Sequence, residues 1–433
     1  MKTQDEGYLN PRLHGMSRSA TLAINERSDA LRNEGKTVYK CGLGQSPFPV
    51  PTEVVNTLKL HAHEKDYLPV KGLPALREAV ADFHRRKDHV DAQPSGVLVG
   101  PGSKELLFLL QLVFEGELIA PTPCWVSYVP QAKILGRQVH LVHTDFADKW
   151  RIMPDRLADV CERNGQYPRI LVLNYPGNPE GASYTAGELK DLADVARQFQ
   201  LIVLSDEIYG QLHHRGEHVS IARFYPEGTI ISSGLSKWCG AGGWRLGTFT
   251  FPEKLQWLCE AMAVVASETY TAVSAPIQYA AVRAFRGGIS VERYLWHARR
   301  ILAALAQHCT ETFVRADIRV HLPVGAFYLF LDFSPLAERL ARQGINDGSS
   351  LCERLLSDTG VALLPGVAFH RSPKELTARM AYVNFDGSKA LAASETIPLD
   401  QVLPEDFIQF WCEDVFEATQ RIVDWLSQCP SKS

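Results

Sequence analysis

Short apolar runs alternate with amphipathic stretches between residues 96 and 250 of this 433-residue chain. The runs that have the length and composition of buried strands are GVLVG, GELIAP, RILVLN, LIVLSD and TIISSG. Apolar residues recur at helical spacing in the segments between them, for example SKELLFLLQLVF and AGELKDLADVARQF. This alternation predicts an α/β fold, in which helices flank a mixed, mostly parallel sheet.

A different pattern begins after about residue 290. It starts with a long helical stretch, VERYLWHARRILAALAQHCTETF, and continues with the strand-like runs VHLPVGAFYLFLDF and ARMAYVNF, so we expect a smaller α+β part. The N-terminal stretch SATLAINERSDALRNEG is also predicted to be helical and to pack against this part. We therefore expect a large domain at 49–290 and a small domain formed by 1–48 and 291–433. Residues 387–404 are expected to be a loop insertion.

The composition narrows the class of protein. Lysine and arginine total 45 and aspartate and glutamate 49, for a net charge of −4, so the chain carries no signature of nucleic-acid or anionic-membrane binding. The nine cysteines are never spaced C-x-x-C, which argues against a disulfide framework and a metal site. There is neither a signal-peptide pattern nor a run of about 18 apolar residues. We expect a cytoplasmic protein that acts on small molecules.

The segment SSGLSKWCGAGGWRLG has a lysine just past an apolar strand, in a loop rich in glycine and serine. A lone lysine is usually a solvated surface residue. Here, however, the hydroxyl of Ser236, the glycine amides and the guanidinium of Arg245 suit a phosphate ester. An amine at Lys237 beside them can form an imine with an aldehyde cofactor.

The segment LIVLSDEIYGQL delivers Asp206 and Tyr209 at the carboxyl end of a predicted parallel strand, where α/β sheets bind ligands. Taken alone, an acid at this position is more often a helix cap. Against a pyridine cofactor, a buried carboxylate would keep the ring nitrogen protonated and make the ring an electron sink. Tyr209 can then donate a hydrogen bond to the ring hydroxyl.

Two further segments carry weaker signals. Asn174 and Asn178 lie in the turn of RILVLNYPGNPEG, where turn chemistry alone explains them, although Asn178 can also bond to a ring hydroxyl. The segment VLVGPGSKELLF predicts a helix that begins near Ser103, and helix N-termini bind phosphate. Trp125 offers a flat surface for a pyridine ring, although a buried tryptophan is more often core.

Together, these motifs resemble in order and spacing the fold-type I aminotransferases of class I and II, from about residue 19 to about residue 385. The matching motifs are Y-x-P-x-x-G-x-x-x-L-R at 67–77, N-P at 178–179, D-x-x-Y at 206–209, S-K with G-W-R-L-G within 236–247, P-x-G-x-F-Y at 323–328, and an arginine, Arg379, before YVNF. The resemblance implies the fold-type I architecture and a pyridoxal 5'-phosphate (PLP)-dependent transfer of an amino group between an L-amino acid and a 2-oxo acid.

The resemblance also implies roles for individual residues around the cofactor. Lys237 would hold PLP as a Schiff base and move the proton at the substrate α-carbon. Asp206 would pair with the ring nitrogen, Asn178 and Tyr209 would hold the ring hydroxyl, and Trp125 would stack on the ring. The phosphate would be lined by Gly102, Ser103, Lys104 through its backbone, Ser236 and Arg245, with Tyr67 reaching it from the second subunit of a homodimer.

For the substrate, the resemblance implies that Arg379 clamps the α-carboxylate, helped by the Gly44 amide and Asn178. The motifs SATLAIN, G-S-K and W-V-S-Y are similar to the bacterial aspartate/prephenate aminotransferase branch. In that branch a lysine at Lys104 reaches the distal carboxylate of an acidic substrate, with Thr21 close by. Glutamate/2-oxoglutarate or aspartate would then form one substrate pair.

Two features depart from that branch, and two alternative functions stay open. Tyr270 replaces a frequent threonine, and CGLGQSPFP lacks the usual acid of G-x-P-D-F. A PLP-dependent lyase or decarboxylase on the same fold would have the same cofactor residues. A PLP-binding regulator is the non-enzymatic alternative, but the chain has neither an added DNA-binding module nor a basic stretch before residue 19.

Overall fold

The computed structural model describes residues 8–16, 18–163 and 167–428. The α-helices within these ranges are α1 (Ala20–Asn33), α2 (Thr52–Leu60), α3 (Pro74–Phe83), α4 (Ser103–Val113), α5 (Tyr128–Leu135), α6 (Pro154–Arg163), α7 (Ala186–Gln198), α8 (Gln256–Ser267), α9 (Ala275–Arg286), α10 (Ile289–Arg315), α11 (Ala337–Ala341), α12 (Gly348–Thr359), α13 (Gly387–Glu395), α14 (Phe407–Trp411) and α15 (Glu413–Gln428). The strands are β1 (Tyr39–Lys40), β2 (Val97–Gly100), β3 (Glu117–Thr122), β4 (Val139–His143), β5 (Arg169–Asn174), β6 (Ile202–Asp206), β7 (Thr229–Gly234), β8 (Gly247–Thr250), β9 (Tyr328–Asp332), β10 (Val361–Ala362), β11 (Leu364–Pro365) and β12 (Thr377–Ala381).

A seven-stranded sheet forms the centre of the fold, in the order β2-β8-β7-β6-β5-β3-β4. Its strands run parallel except for β8, which is antiparallel to both neighbours. The register pairs Asn174 at the end of β5 with Asp206 at the end of β6. This sheet confirms the predicted α/β class and brings side chains from separate motifs to one edge.

Helices cover both faces of the sheet, because its strands are apolar on both sides. On one face, residues of α4 and α8 such as Leu106, Leu110 and Leu258 pack against Phe249 of β8. On the other face, α6 and α7 pack against β5 and β6, and the residues in contact include Leu157, Leu189, Leu192, Leu171 and Val203.

A second, antiparallel sheet has the order β11-β12-β9 and lies in a core that includes residues of α10, α12 and α15. The short strands β1 and β10 pair in parallel. The predicted N-terminal helix forms as α1, and its Ile24 packs against the cluster that contains Leu364 and Phe369. The N-terminal helix therefore packs against residues of the C-terminal part.

The prediction that residues 387–404 form a loop insertion is wrong for the first half of that segment. Residues Gly387–Glu395 form α13, and the Asp386 side chain caps it by accepting hydrogen bonds from the amides of Ser388 and Lys389. Its sequence GSKALAASE contains a single bulky apolar residue, Leu391, so no amphipathic stripe is visible. The helix is held instead by tertiary contacts, which include hydrogen bonds from Arg300 to Ser394.

Within the described ranges, each helix is either too short or too polar to cross a membrane.

Candidate active site

A cavity of about 370 Å³ opens where the carboxyl ends of β5, β6 and β7 meet the start of α4. Many of the candidate residues line it, although they come from segments far apart in the sequence. The lining residues are Leu22, Leu43, Gly44, Gln45, Ser103, Lys104, Trp125, Asn174, Asn178, Asp206, Ile208, Tyr209, Ser236, Lys237, Gly242, Gly243 and Arg245.

Lys237 lies in the loop after β7, with its side chain partly buried. The ammonium nitrogen Nζ donates a hydrogen bond to the backbone carbonyl of Gly44 at 2.7 Å and lies 5.5 Å from the ring centre of Tyr209. Burial, reinforced by the positive charges of Arg379 and Arg245, lowers the pKa of Lys237 to about 7. Near neutral pH a large share of this amine is therefore uncharged and able to attack a carbonyl carbon.

Asp206 ends β6 and is buried. Its carboxylate accepts a hydrogen bond from the hydroxyl of Tyr128 at 2.6 Å and another from that of Ser232 at 3.1 Å. Burial raises the pKa of Asp206 against the opposing effect of these two donors. A buried acid that still reaches the cavity is suited to pair with a protonated ring nitrogen.

Arg379 of β12 is 1% exposed and is held by neighbours on several sides. One guanidinium nitrogen donates to Asn178 Oδ1 at 2.9 Å and another to the carbonyl of Gly42. The guanidinium lies 4.7 Å from the ring centre of Tyr328, while Nε has no hydrogen-bond partner among the described residues. A buried cation with an unpaired donor is suited to bind a carboxylate.

Two hydrogen bonds arrange the remaining polar groups at this edge. The amide Nδ2 of Asn174 donates to the backbone carbonyl of Asp206 at 2.8 Å, and Asn174 Oδ1 accepts from the backbone amide of Asn178, also at 2.8 Å. The hydroxyls of Tyr209 and Tyr328 lie 2.7 Å apart. Tyr209 therefore already has a hydrogen-bonding partner in this structure.

The start of α4 forms an anion-binding corner. Gly102 is the residue before the helix and has a φ of +91°, and a Cβ there would lie 2.0 Å from a guanidinium nitrogen of Arg245. Arg245 is fixed by hydrogen bonds to the carbonyls of Pro101 and Gly242. The backbone amides of Ser103 and Lys104 at the start of the helix combine with this guanidinium to suit a phosphate group.

Lys104 and Trp125 form the wall beside that corner. The Lys104 nitrogen lies 5.1 Å from the ring centre of Trp125, which is partly buried and contacts Tyr128 edge to face. Burial, followed by the charge of Arg245, lowers the pKa of Lys104. Trp125 offers a flat surface within the cavity, and Lys104 places a partly desolvated amine beside it.

Among the other predicted residues, Thr21 does not line the cavity, whereas its neighbour Leu22 does. Tyr67 is 92% exposed and lies outside this cavity, and its predicted position is at the site of a second subunit. Gly44 contacts Lys237 through its carbonyl oxygen, and a Cβ at Gly44 would lie 1.9 Å from the hydroxyl of Tyr328, so a larger residue does not fit.

Several residues at the site were not predicted. Tyr128 and Ser232 bind the Asp206 carboxylate, and Tyr328 binds Tyr209. Tyr128 and Tyr328 end the motifs W-V-S-Y and P-x-G-x-F-Y, so their positions were a signal even though no role was assigned. Gln45 and Ile208 also line the cavity, but nothing in the local sequence marks them.

One edge of the mixed, mostly parallel sheet brings together a lysine, a buried aspartate, a helix start that suits an anion, and a buried arginine. This combination defines the class of fold-type I PLP-dependent enzymes. Residues 37–386 match the family model described as aminotransferase class I and II, and the chain belongs to that family.

Curated relatives and solved structures agree with this assignment. The chain is 32% identical over 368 residues to the aspartate/prephenate aminotransferase of Thermus thermophilus, covering 83% of this chain and 91% of that protein. It is 33% identical over 375 residues to the aspartate aminotransferase of Geobacillus stearothermophilus, with the same coverage. The structure of the Thermus thermophilus aspartate aminotransferase with maleate superimposes with a TM-score of 0.82 at 28% identity, covering 96% of this chain and 99% of that one.

The protein is thus a PLP-dependent aminotransferase, and nothing in these comparisons favours a lyase or decarboxylase. The residues present fit the cofactor, since an amine, a buried carboxylate and an anion-binding corner surround one cavity. When bound, PLP supplies an electron sink that stabilises a carbanion at the substrate α-carbon.

Proposed function

We propose that this aminotransferase acts on dicarboxylic substrates, with glutamate/2-oxoglutarate or aspartate as one substrate pair. The observation that carries this proposal is the position of Lys104, whose partly desolvated ammonium lies in the same cavity as Lys237. A cation there suits a second carboxylate. Support also comes from the Thermus thermophilus relative, an aspartate aminotransferase whose structure contains maleate, because maleate is a dicarboxylate.

The roles proposed for the cofactor-binding residues follow from the same cavity. Lys237 would hold PLP, and its lowered pKa would allow it to act as a base at the substrate α-carbon near neutral pH. Asp206 pairs with the ring nitrogen, while Asn178 and Tyr209 contact the ring hydroxyl. Trp125 stacks on the ring.

The phosphate is proposed to bind at the start of α4, where free amides and a guanidinium meet. The residues in that role are Gly102, Ser103, Lys104 through its backbone, Ser236 and Arg245. Arg379 and Asn178 are proposed to bind the substrate α-carboxylate, with the unpaired Nε of Arg379 as an additional donor. Gly44 contributes backbone atoms beside Lys237. Thr21 has no comparable support, since Leu22 lines the cavity in its place.

The experiment that tests the substrate proposal is a half-reaction. Purified holoenzyme is mixed with single amino acids, and conversion of the cofactor absorbance to that of the pyridoxamine form is followed over time. We expect glutamate or aspartate to convert the enzyme at much lower concentration than alanine or leucine. Equal conversion by dicarboxylic and monocarboxylic amino acids would contradict the proposal.

We propose further that the enzyme is a homodimer and that residues 49–290 form a large domain, with 1–48 and 291–433 forming a small one. Tyr67 supports the dimer, because its exposed side chain is free to reach a partner's phosphate site. We also propose a cytoplasmic location. The described cysteines support it, since all eight are free and buried, as expected for a reducing compartment.

A further inference from the structure

Three buried side chains that can bind a metal ion lie close together outside the active-site cavity. A ring nitrogen of His218 and one carboxylate oxygen each of Asp88 and Glu207 all lie within 4.8 Å of one another. Each of these side chains is at most 5% exposed. None of the three lines the active-site cavity, although Glu207 follows Asp206 directly in the sequence. The cluster is therefore separate from the residues that surround the cofactor site.

Two segments that contain histidine supply most of this cluster. Asp88 comes from HRRKDH at 84–89 and His218 from HHRGEH at 213–218. Short tracts rich in histidine are typical of metal-binding sequences. The spacing of the cysteines, on which the sequence prediction against a metal site rests, does not bear on such ligands. Gly210 leaves room for the ring of His218, because a Cβ at Gly210 would lie 2.9 Å from a ring carbon.

Further hydrogen bonds fix the orientation of both carboxylates. Glu207 Oε1 accepts from the hydroxyls of Ser205 at 2.7 Å and Ser220 at 2.6 Å, which leaves Oε2 facing His218 at 2.8 Å. The carboxylate of Asp88 lies 2.6 Å from Nδ1 of His84. Carboxylates that bind metal ions are held by outer hydrogen bonds of this kind. The two acids are therefore oriented before any ion binds.

Two buried carboxylates at this separation repel one another unless positive charge lies beside them. The rings of His84 and His218 can supply that charge only when both are protonated. In that form Nε2 of His84 and Nδ1 of His218 are N–H donors, yet both atoms are buried without a hydrogen-bond partner among the described residues. A divalent cation supplies two positive charges at one point, and a neutral imidazole ring keeps a lone pair with which to bind it.

We propose that Asp88, Glu207 and His218 form a binding site for one Zn²⁺ ion per chain, with water as the fourth ligand. Zinc binds nitrogen and carboxylate oxygen at about 2.0 to 2.2 Å, which places neighbouring ligand atoms of a tetrahedral site about 3.3 to 3.5 Å apart. His218 and Glu207, at 2.8 Å, therefore separate by roughly half an ångström when the ion binds. Without the ion they pair directly. The ion links the segments 84–89 and 207–218, and this structural role is independent of the proposed substrate.

The first test measures the zinc that stays on the holoenzyme after treatment with EDTA, incubation with Zn²⁺ and desalting. We expect about one ion per chain in the wild type and less than about a tenth of an ion in Asp88→Asn, which loses the charge but can still bond to His84. The control is Glu117→Gln, at a contact with His140 that has no third ligand among the described residues, and it should retain the ion. Zinc absent from the wild type, or equal in the wild type and Asp88→Asn, would overturn the inference.

The second test identifies the ligands in the wild type and needs no variant. X-ray absorption at the zinc edge should show an imidazole ring and oxygen ligands at about 2.0 to 2.2 Å, without sulfur at about 2.3 Å. Sulfur ligands would place the ion at cysteines and contradict the proposal. Zn²⁺ should also raise the melting temperature of the wild type above its value in EDTA, but not those of Asp88→Asn and His218→Gln. An equal rise in all three proteins would mean that zinc binds elsewhere, and the inference would fail.

Discussion

At the scale of single residues, Lys237 is the position that the chemistry depends on most. We predict that Lys237→Ala loses the Schiff-base absorbance and that its kcat falls by at least about a thousandfold. The reason is that the variant has no amine at this position to form the imine with the cofactor. Lys104 is the other lysine that lines the cavity. The measurement is the visible spectrum together with steady-state turnover. Lys254→Ala, at an exposed lysine, is the control and should behave as the wild type. A normal spectrum in Lys237→Ala would assign the Schiff base to another lysine.

Lys104 is the residue that decides the proposed substrate class. Charge-assisted hydrogen bonds contribute roughly 1.5 to 3 kcal/mol, so Lys104→Met should lower kcat/KM for glutamate by about tenfold to a hundredfold. The values for an apolar or aromatic amino acid should hardly change, because such substrates have no distal carboxylate. The measurement is kcat/KM for both substrates with both enzymes. Equal losses would mean that Lys104 supports the cofactor and does not bind the substrate.

The sequence alone predicted most of the polar residues that the structure brings to the cavity. The spacing of residues within each motif determines which side chains lie together at the end of a strand. It missed Tyr128, Ser232 and Tyr328, whose hydrogen bonds to Asp206 and Tyr209 span 26 to 119 residues of sequence. Contacts at that separation depend on the relative positions of whole elements, which local pattern does not encode.

At the scale of elements, segments with a strong apolar pattern were predicted correctly, and segments with a weak apolar pattern were not. The central strands β5, β6 and β7 are buried throughout or nearly so and were visible as apolar runs. The edge strand β4 was not predicted, because its VHLVH pattern leaves most residues at least partly accessible. Helix α13 was mistaken for a loop because small residues dominate it and its stability comes from packing against α10.

The segment after β6 is fixed by a buried ion pair between Glu207 and His218, which lie 2.8 Å apart. Glu207 also accepts hydrogen bonds from Ser205, Ser220 and Tyr175. Without the carboxylate of Glu207, burial lowers the pKa of His218, so the imidazole loses its proton and the ion pair is lost. We therefore predict that Glu207→Gln destabilises the protein by about 1 to 3 kcal/mol. The measurement is the urea-unfolding midpoint. His63→Ala, at an exposed histidine, should change it little.

The same pair predicts a pH dependence of stability. Burial alone would lower the pKa of His218, but the carboxylate of Glu207 raises it overall. Because the folded-state pKa lies above the unfolded value, the stabilisation is complete below about pH 6.5 and is lost as the pH rises through the folded-state pKa. The difference in unfolding midpoint between the wild type and His218→Ala should therefore shrink at high pH. A constant difference would mean that His218 stabilises the fold by packing alone.

At the scale of the whole molecule, the proposed dimer interface includes the surface around Tyr67. Close to Tyr67 in the sequence, Pro69 and Val70 line a groove together with Ala263 and Val264, of which Val264 is 66% exposed. The same groove is lined by the polar residues Lys71, Arg77, Glu260 and Ser267. We expect the apolar part of this surface to be buried against the second chain. We expect sedimentation to give twice the 48.2 kDa mass of one chain. A fully active species of 48.2 kDa would contradict the dimer.

If the two subunits share each active site, two defective variants can complement one another in a mixed dimer. Complementation therefore tests the dimer proposal more specifically than the mass of the protein does. If Tyr67 of one subunit serves the site that contains Lys237 of the other, a mixed dimer of Lys237→Ala and Tyr67→Ala has one site with both natural residues. Co-expression of the two variants should restore about a quarter of the wild-type activity per chain on statistical pairing, above the sum of the separate variants. A different affinity tag on each variant allows the mixed dimer to be isolated, so that its formation is checked directly. An isolated mixed dimer without recovered activity would mean that Tyr67 serves the site of its own chain.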